Sequence, residues 1–179
     1  MALRKALAYT RKTVVPYTRI SSKKGKSYIK TVPSQAIVKF SMGSHQMFAD
    51  GKLPHILTLV AEEKAQIRHN ALEASRQYIN KQLDTILPAQ YYFRVIPFPH
   101  HIQRENKMLT GAGADRMQSG MQLSFGKSAG KAAIVKEGSG IFMIALPTEK
   151  AVQQARGIIK IVKPKLPCRA KLIYELRKA

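Results

Sequence analysis

The residues from Arg104 to Ala133, RENKMLTGAGADRMQSGMQLSFGKSAGKAA, set five glycines among five lysines and arginines. Glycines that let backbone N–H groups turn inward, beside a lysine, are the equipment of a phosphate cradle. The nearest fit is GMQLSFGKS at 120–128. It places five residues between its glycines where the nucleotide loop GxxxxGK[ST] has four. One extra residue takes the successive N–H groups out of register around a phosphate. No downstream apolar strand ending in Asp accompanies it. GAGADR at 111–116 supplies Gly111 and Gly113 of a dinucleotide fingerprint, but Arg116 stands where the third glycine belongs.

Other chemistries fit no better. His100 and His101 are adjacent and cannot share a helix face. His45, His55 and His69 have no HxxxH spacing, and Cys168 is the single cysteine. Helix packing or local hydrogen bonding accounts for His69. His100 and His101 either touch phosphate or end a strand. Glu105 and Asp115, the loop's only carboxylates, sit among cations, where salt bridging suits them better than acid–base work. What remains is a loop with Arg104, Lys107, Arg116, Lys127 and Lys131, small neighbours, and Met108, Met117 and Met121. Glycine permits close backbone approach and basic side chains reach phosphates. That combination suits packing against folded RNA. A plain surface loop of about 25 residues would be unusually long.

The whole chain agrees. It has 179 residues, enough for one domain with a real core, and 45% hydrophobic content. Its 31 Lys+Arg against 10 Asp+Glu give a formal net charge of +21. Such a charge repels itself unless a polyanion is near, and nucleic acid is the first candidate, an anionic membrane the second. One cysteine suits a reducing compartment. No signal-peptide pattern is seen, and no apolar run approaches the roughly 20 residues of a membrane helix. The expected location is the cytoplasm.

The elements that must position these residues follow in order. No acid precedes Asp50, and residues 1–49 carry ten Lys/Arg with Tyr9, Tyr17 and Tyr28 interleaved. This is expected to be an extended arm that orders on an anionic surface. AIVKF (36–40) and HILTLVA (55–61) read as strands joined by a turn-rich link. Residues 61–86 carry apolar side chains at helical spacing from Ile67 to Ile86. Glu62 and Glu63 are placed in the first turn and Pro88 just beyond the end. YYFRVIP (91–97) reads as a strand. AAIVK (132–136) and GIFMIAL (140–146) read as a hairpin around EGSG. Thr148 offers an N-cap to a helix over 149–163. CRAKLIYEL (168–176) alternates as a last strand, with Ala170, Leu172, Tyr174 and Leu176 on one face. The result is an α+β domain, two helices packed on a mixed or antiparallel sheet.

Several stretches then carry a resemblance. RENKMLTGAGADRMQSGMQLSFGK (104–127) closely resembles the signature of a universal large-subunit ribosomal protein family. Its archaeal and eukaryotic branch is called L-ten-e and its bacterial counterpart L-sixteen. LVAEEKAQIRHNALEASR (59–76), VIPFPHHI (95–102) and LPCRAKLIYE (166–175) resemble neighbouring elements of the archaeal and eukaryotic branch. PYTR (16–19) and VPSQAIVKFSMG (32–43) fit more loosely.

The resemblance implies a hammerhead-type α+β fold, with residues 1–35 a basic rRNA-binding extension and 36–179 one domain bearing the long loop at about 100–131. It implies a structural constituent of the large ribosomal subunit that binds its rRNA and helps organise the tRNA-binding region near the peptidyl transferase centre. The implied partners are rRNA, tRNA at the loop (about 104–120) and neighbouring ribosomal proteins. No membrane, homo-oligomer, cofactor, metal or enzymatic activity is expected.

Taken with the charge pattern, it singles out rRNA- or tRNA-facing residues. In the arm they are Arg4, Arg11, Lys12, Tyr17, Arg19, Lys23, Lys24 and Lys26. Arg68 and His69 lie on the first helix, and His100 and His101 after the strand. Arg104, Asn106, Lys107, Gly111, Gly113, Arg116, Gly120, Lys127 and Lys131 lie in the loop. The readings set against this one are a nucleotide-dependent enzyme using the loop and a membrane-surface or general RNA-binding protein.

Overall fold

A computed structural model describes residue 9 and residues 15–18, 28–105 and 126–177. Its described strands are β1 (Ser41–Gly43), β2 (His55–Ala61), β3 (Ala65–Arg68), β4 (Tyr92–Val95), β5 (His101–Glu105), β6 (Lys127–Val135), β7 (Gly140–Leu146) and β8 (Ala170–Leu176). The described α-helices are α1 (His45–Ala49), α2 (His69–Ile86) and α3 (Glu149–Val162). Five strands form one antiparallel sheet in the order β1-β4-β7-β2-β8, and three form another in the order β3-β6-β5. The fold is α+β.

The larger sheet owes its place to alternation. Leu57 and Leu59 of β2, Phe93 and Val95 of β4, and Ile144 and Leu146 of β7 turn one face inward and are fully or almost fully buried. Helix α2 covers that face with Leu72, Ile79 and Leu83. Helix α3 adds Ala151, Val152, Ala155, Ile158, Ile159 and Val162. Each large side chain buried there contributes about 1.5–3 kcal/mol. Phe93 and Phe142 meet with ring centroids 5.8 Å apart, tilted by 57°. The Thr148 hydroxyl caps α3 by accepting from Ala151 N, as its sequence suggests. The opposite face of the sheet holds a smaller cluster, in which Leu53, Tyr92 and Ala145 lie under Met47 and Phe48 of α1. Gly43 makes that corner possible. It has φ +81°, and a Cβ there would lie 2.2 Å from the Tyr91 carbonyl oxygen.

Several expectations need correction. The helix expected over 61–86 begins at His69. Residues 62–63 bend, Glu62 N donates to Arg169 O, and Glu63 accepts from Arg169 N instead of favouring a helix dipole. Ala65, Gln66 and Ile67 are buried as strand β3 because β6 offers a full ladder. AIVKF is not a strand. Ile37 plunges into the core, while Ala36 N and Phe40 O are taken by His69 and Val95, so β1 starts only at Ser41. The expected 132–146 hairpin is a crossover: β6 and β7 belong to different sheets, and Ala61 bonds both Gly138 and Ser139 at the turn. Of the four residues placed on one face of the last strand, Ala170 and Leu172 pack on the core. Tyr174 and Leu176 are exposed.

Candidate nucleic-acid interface

The three-stranded sheet carries both ends of the glycine-rich stretch. The segment 100–131, expected as loop throughout, is strand at both ends: β5 leads in and β6 leads out. Glu105 pairs with Lys127 and Arg104 with Ser128, so the two ends of the intervening segment are held side by side. One face of this sheet supplies Ala65, Ile67, Ala133 and Val135 to the core. The other face is polar. Gln66 of β3 and Gln103 of β5 meet across β6, where Gly130 and Ala132 leave room, and the Gln103 amide donates to Gln66 Oε1 at 3.1 Å. Arg68 Nε donates to Gln103 Oε1 at 3.2 Å. Gln66, His101 and Gln103 are nonetheless buried. A polar group this deep must be hydrogen-bonded, and this row is.

Described residues of the N-terminal region meet this sheet and the helix after it, and two histidines fasten them. Tyr17 N donates to His101 Nδ1 at 3.0 Å while Tyr17 O accepts from Ile102 N at 3.0 Å. Ala36 N donates to His69 Nδ1 at 2.8 Å. An imidazole that accepts at Nδ1 is neutral with its proton on Nε2. The surroundings keep it so. Burial, then the charges of His100 and Arg104, push His101 down to about 4. Burial, then Arg68 and Lys131, lower His69. The cations are also fixed. The Arg104 guanidinium stacks 4.0 Å from the Tyr17 ring centroid, and Arg68 lies 4.6 Å from that of Tyr9. Such contacts attract a guanidinium to the face of an aromatic ring. The Tyr9 hydroxyl lies 3.5 Å from Glu105 Oε2, and Ser128 Oγ donates to Thr31 O at 2.8 Å.

Eight of the expected RNA-facing residues are described. Arg68, His101, Arg104, Lys127 and Lys131 come together on the small sheet, His69 starts the helix that follows it, and Tyr17 lies across it. His101 faces inward to the arm, and His69 is likewise engaged by the chain itself. His100 stands just outside β5, its Nδ1 2.9 Å from Phe98 O. Arg4, Arg11, Lys12, Arg19, Lys23, Lys24 and Lys26 in the arm lie outside the described residues. So do Asn106, Lys107, Gly111, Gly113, Arg116 and Gly120 in the loop. Gln66, Gln103, Lys30 and Ser128 escaped the sequence reading, and Tyr28 was named there only as one of the interleaved tyrosines. The interleaving of tyrosines with cations was the signal for Tyr28; nothing local marks the glutamines.

Among the described residues no three His, Cys, Asp or Glu side chains converge as metal ligands. No helix there is long and apolar enough to cross a membrane. Cys168 is buried, with its thiol pushed up to about 11 by burial and then by Glu63, which makes it a poor nucleophile.

A small α+β domain that gathers Arg68, Arg104, Lys127 and Lys131 on one three-stranded sheet has the layout of a polyanion-binding protein. Residues 16–173 match the model of the family described as ribosomal protein L16p/L10e. Among similar proteins, the large ribosomal subunit protein uL16 of Staphylothermus marinus is 40% identical over 176 residues, 98% of this chain and 95% of that one. The protein of the same name from Thermofilum pendens is 40% identical over 176 residues, 98% of each chain. That from Hyperthermus butylicus is 42% identical over 153 residues, 85% of this chain and 79% of its own. The chain belongs to the ribosomal protein L16p/L10e family.

Proposed function

We propose that this protein is a structural constituent of the large ribosomal subunit of the cytoplasmic ribosome, and not an enzyme. It binds large-subunit rRNA and helps organise the tRNA-binding region near the peptidyl transferase centre during translation. The observation that carries this reading is similarity along nearly the whole chain to proteins named for that subunit. The charge of +21 supports it independently, because rRNA supplies the neutralising phosphates. In this reading residues 1–35 are an rRNA-binding extension and 36–179 one hammerhead-type domain. The segment around 104–120 reaches toward tRNA, and neighbouring ribosomal proteins are further partners. The protein works as one copy, with no self-association.

The position of the cations supports RNA as the polyanion. Arg68 and Arg104 lie over tyrosine rings, and a guanidinium placed in this way suits phosphate forks and base stacking better than a diffuse lysine tail does. The test is sedimentation of the tagged protein from its own cell extract through a sucrose gradient at moderate salt. It is expected to co-migrate with large subunits and whole ribosomes. Migration only as a small free protein would overturn the reading.

A further inference from the structure

A cleft of about 600 Å³ opens where Tyr17 and residues 28–31 meet the end of β5 and the start of β6. Its lining includes Tyr17, Tyr28, Lys30, Arg104, Lys127 and Ser128. We propose that this cleft receives a single unpaired RNA nucleotide, its base against Tyr28 and its phosphate among Lys30, Arg104 and Lys127. The inference rests on the RNA-binding reading and deepens it, by assigning one built pocket to one nucleotide.

Size, chemistry and rigidity all point the same way. The volume falls within the roughly 300–1,000 Å³ of small-molecule sites. Two phenol rings and three cations line it, the pairing that recognises a π-face joined to an anion. Ser128 Oγ, which donates to Thr31 O, can still accept from a sugar hydroxyl or a base N–H. Free nucleotide-binding motifs are broken in this chain, so the pocket suits a nucleotide delivered by a longer RNA, whose other contacts supply the affinity.

The walls are set before any ligand arrives. Ile29 is buried at 5% exposure, which pins the neighbouring Tyr28 and Lys30 at the rim. The bond from Ser128 to Thr31 O ties that part of the arm to β6. On the far side Tyr17 is held by His101 and Ile102, and it in turn holds the guanidinium of Arg104. Tyr28 is 40% exposed, so its ring can be reached from solvent. A pocket built in advance loses little conformational freedom when it fills.

The experiment is chemical probing of base reactivity in large-subunit rRNA bound to the full chain, with and without added tRNA. Wild type, Tyr28→Ala, Tyr28→Phe and Lys127→Gln are compared, and affinity is measured across salt concentrations. The expected result is one base protected by wild type and by Tyr28→Phe. It becomes reactive with Tyr28→Ala, while the rest of the footprint stays. Affinity of Tyr28→Ala should fall about 5–150-fold with an unchanged salt slope, because stacking is lost and no phosphate contact is. Lys127→Gln should instead lessen the slope by about 1. A protected base in rRNA without tRNA assigns the nucleotide to rRNA; one that appears only in added tRNA assigns it to tRNA. Tyr28→Ala with unchanged affinity and footprint would overturn the pocket while leaving RNA binding intact. Absence of any wild-type footprint would overturn the RNA-binding reading itself.

Discussion

The two sheets are held in place by different physics. The five-stranded sheet is an apolar body: Phe93, Phe142, Leu57 and Ile144 are fully buried, and two helices close over them. The three-stranded sheet shares that core on one face only. On its other face glutamines, histidines and cation–aromatic pairs take over, and backbone N–H groups of Tyr17 and Ala36 bond to the histidines. Burial without direction gives the first region its stability. Directed bonds between polar groups give the second its geometry, at a smaller net gain for each bond. In the reading proposed above this surface presents cations to phosphate, and it cannot be stabilised by hiding them. It must be fixed by partners that leave the charge in place.

The largest contrast is expected from truncating the apolar body. Phe93→Ala should cost about 3–5 kcal/mol in denaturant unfolding. An arm substitution that removes a ring of similar size, Tyr17→Ala, should cost far less globally and show itself as faster proteolysis of the arm. Equal losses would abolish the distinction between the regions.

The next effect belongs to the histidine fastenings. His101→Ala leaves the Tyr17 N–H without its acceptor and should cost about 1–3 kcal/mol, with the arm released. The same bond gives a pH dependence of definite sign. His101 titrates near 4 when folded, below its ordinary 6.5, so the unfolded chain binds the extra proton first. Its contribution is therefore complete above about pH 6.5 and is lost as pH falls toward 4. Unfolding followed from pH 7 to pH 4 should show a slope that His101→Ala diminishes. A slope of the opposite sign would contradict the neutral acceptor.

The smallest effect should come from the loop. Glu105 already pairs with Lys127, so replacing 106–125 by Asn-Gly asks only for a short turn. Global stability is expected to change by less than about 1 kcal/mol in thermal unfolding. A larger loss would mean that the segment belongs to the core.

These contrasts also explain what could be read in the sequence. Strands β2, β4 and β7 and helix α3 were legible because each repeats an apolar residue at one fixed period or ends at a plain signal such as Thr148. The start of α2 was not. Ile67 happens to continue the helical stripe, but its neighbours are claimed by β6, whose pairing is set about 70 residues away. The same long-range claim hid the crossover after Val135. Charge, interleaved tyrosines and the resemblance singled out Tyr17, Arg68, Arg104, Lys127 and Lys131, which the structure places together on or against the small sheet. The roles of His69 and His101 could not. Each accepts a bond from an arm residue that lies more than 30 positions earlier, and no local pattern encodes such a pairing.

The most direct test of the central claim, that RNA is met by the small sheet and not by the apolar body, is the salt dependence of rRNA binding. Lys127 and Lys131 on β6 are changed together to Gln, and Lys81 on α2 and Lys150 on α3 are changed as the matched pair. Each lost phosphate contact lessens the slope of log affinity against log salt by about 0.9. The expected result is a shallower slope for the β6 pair and an unchanged one for the helix pair. Equal slopes in the two variants, or a loss confined to the helix pair, would contradict the account.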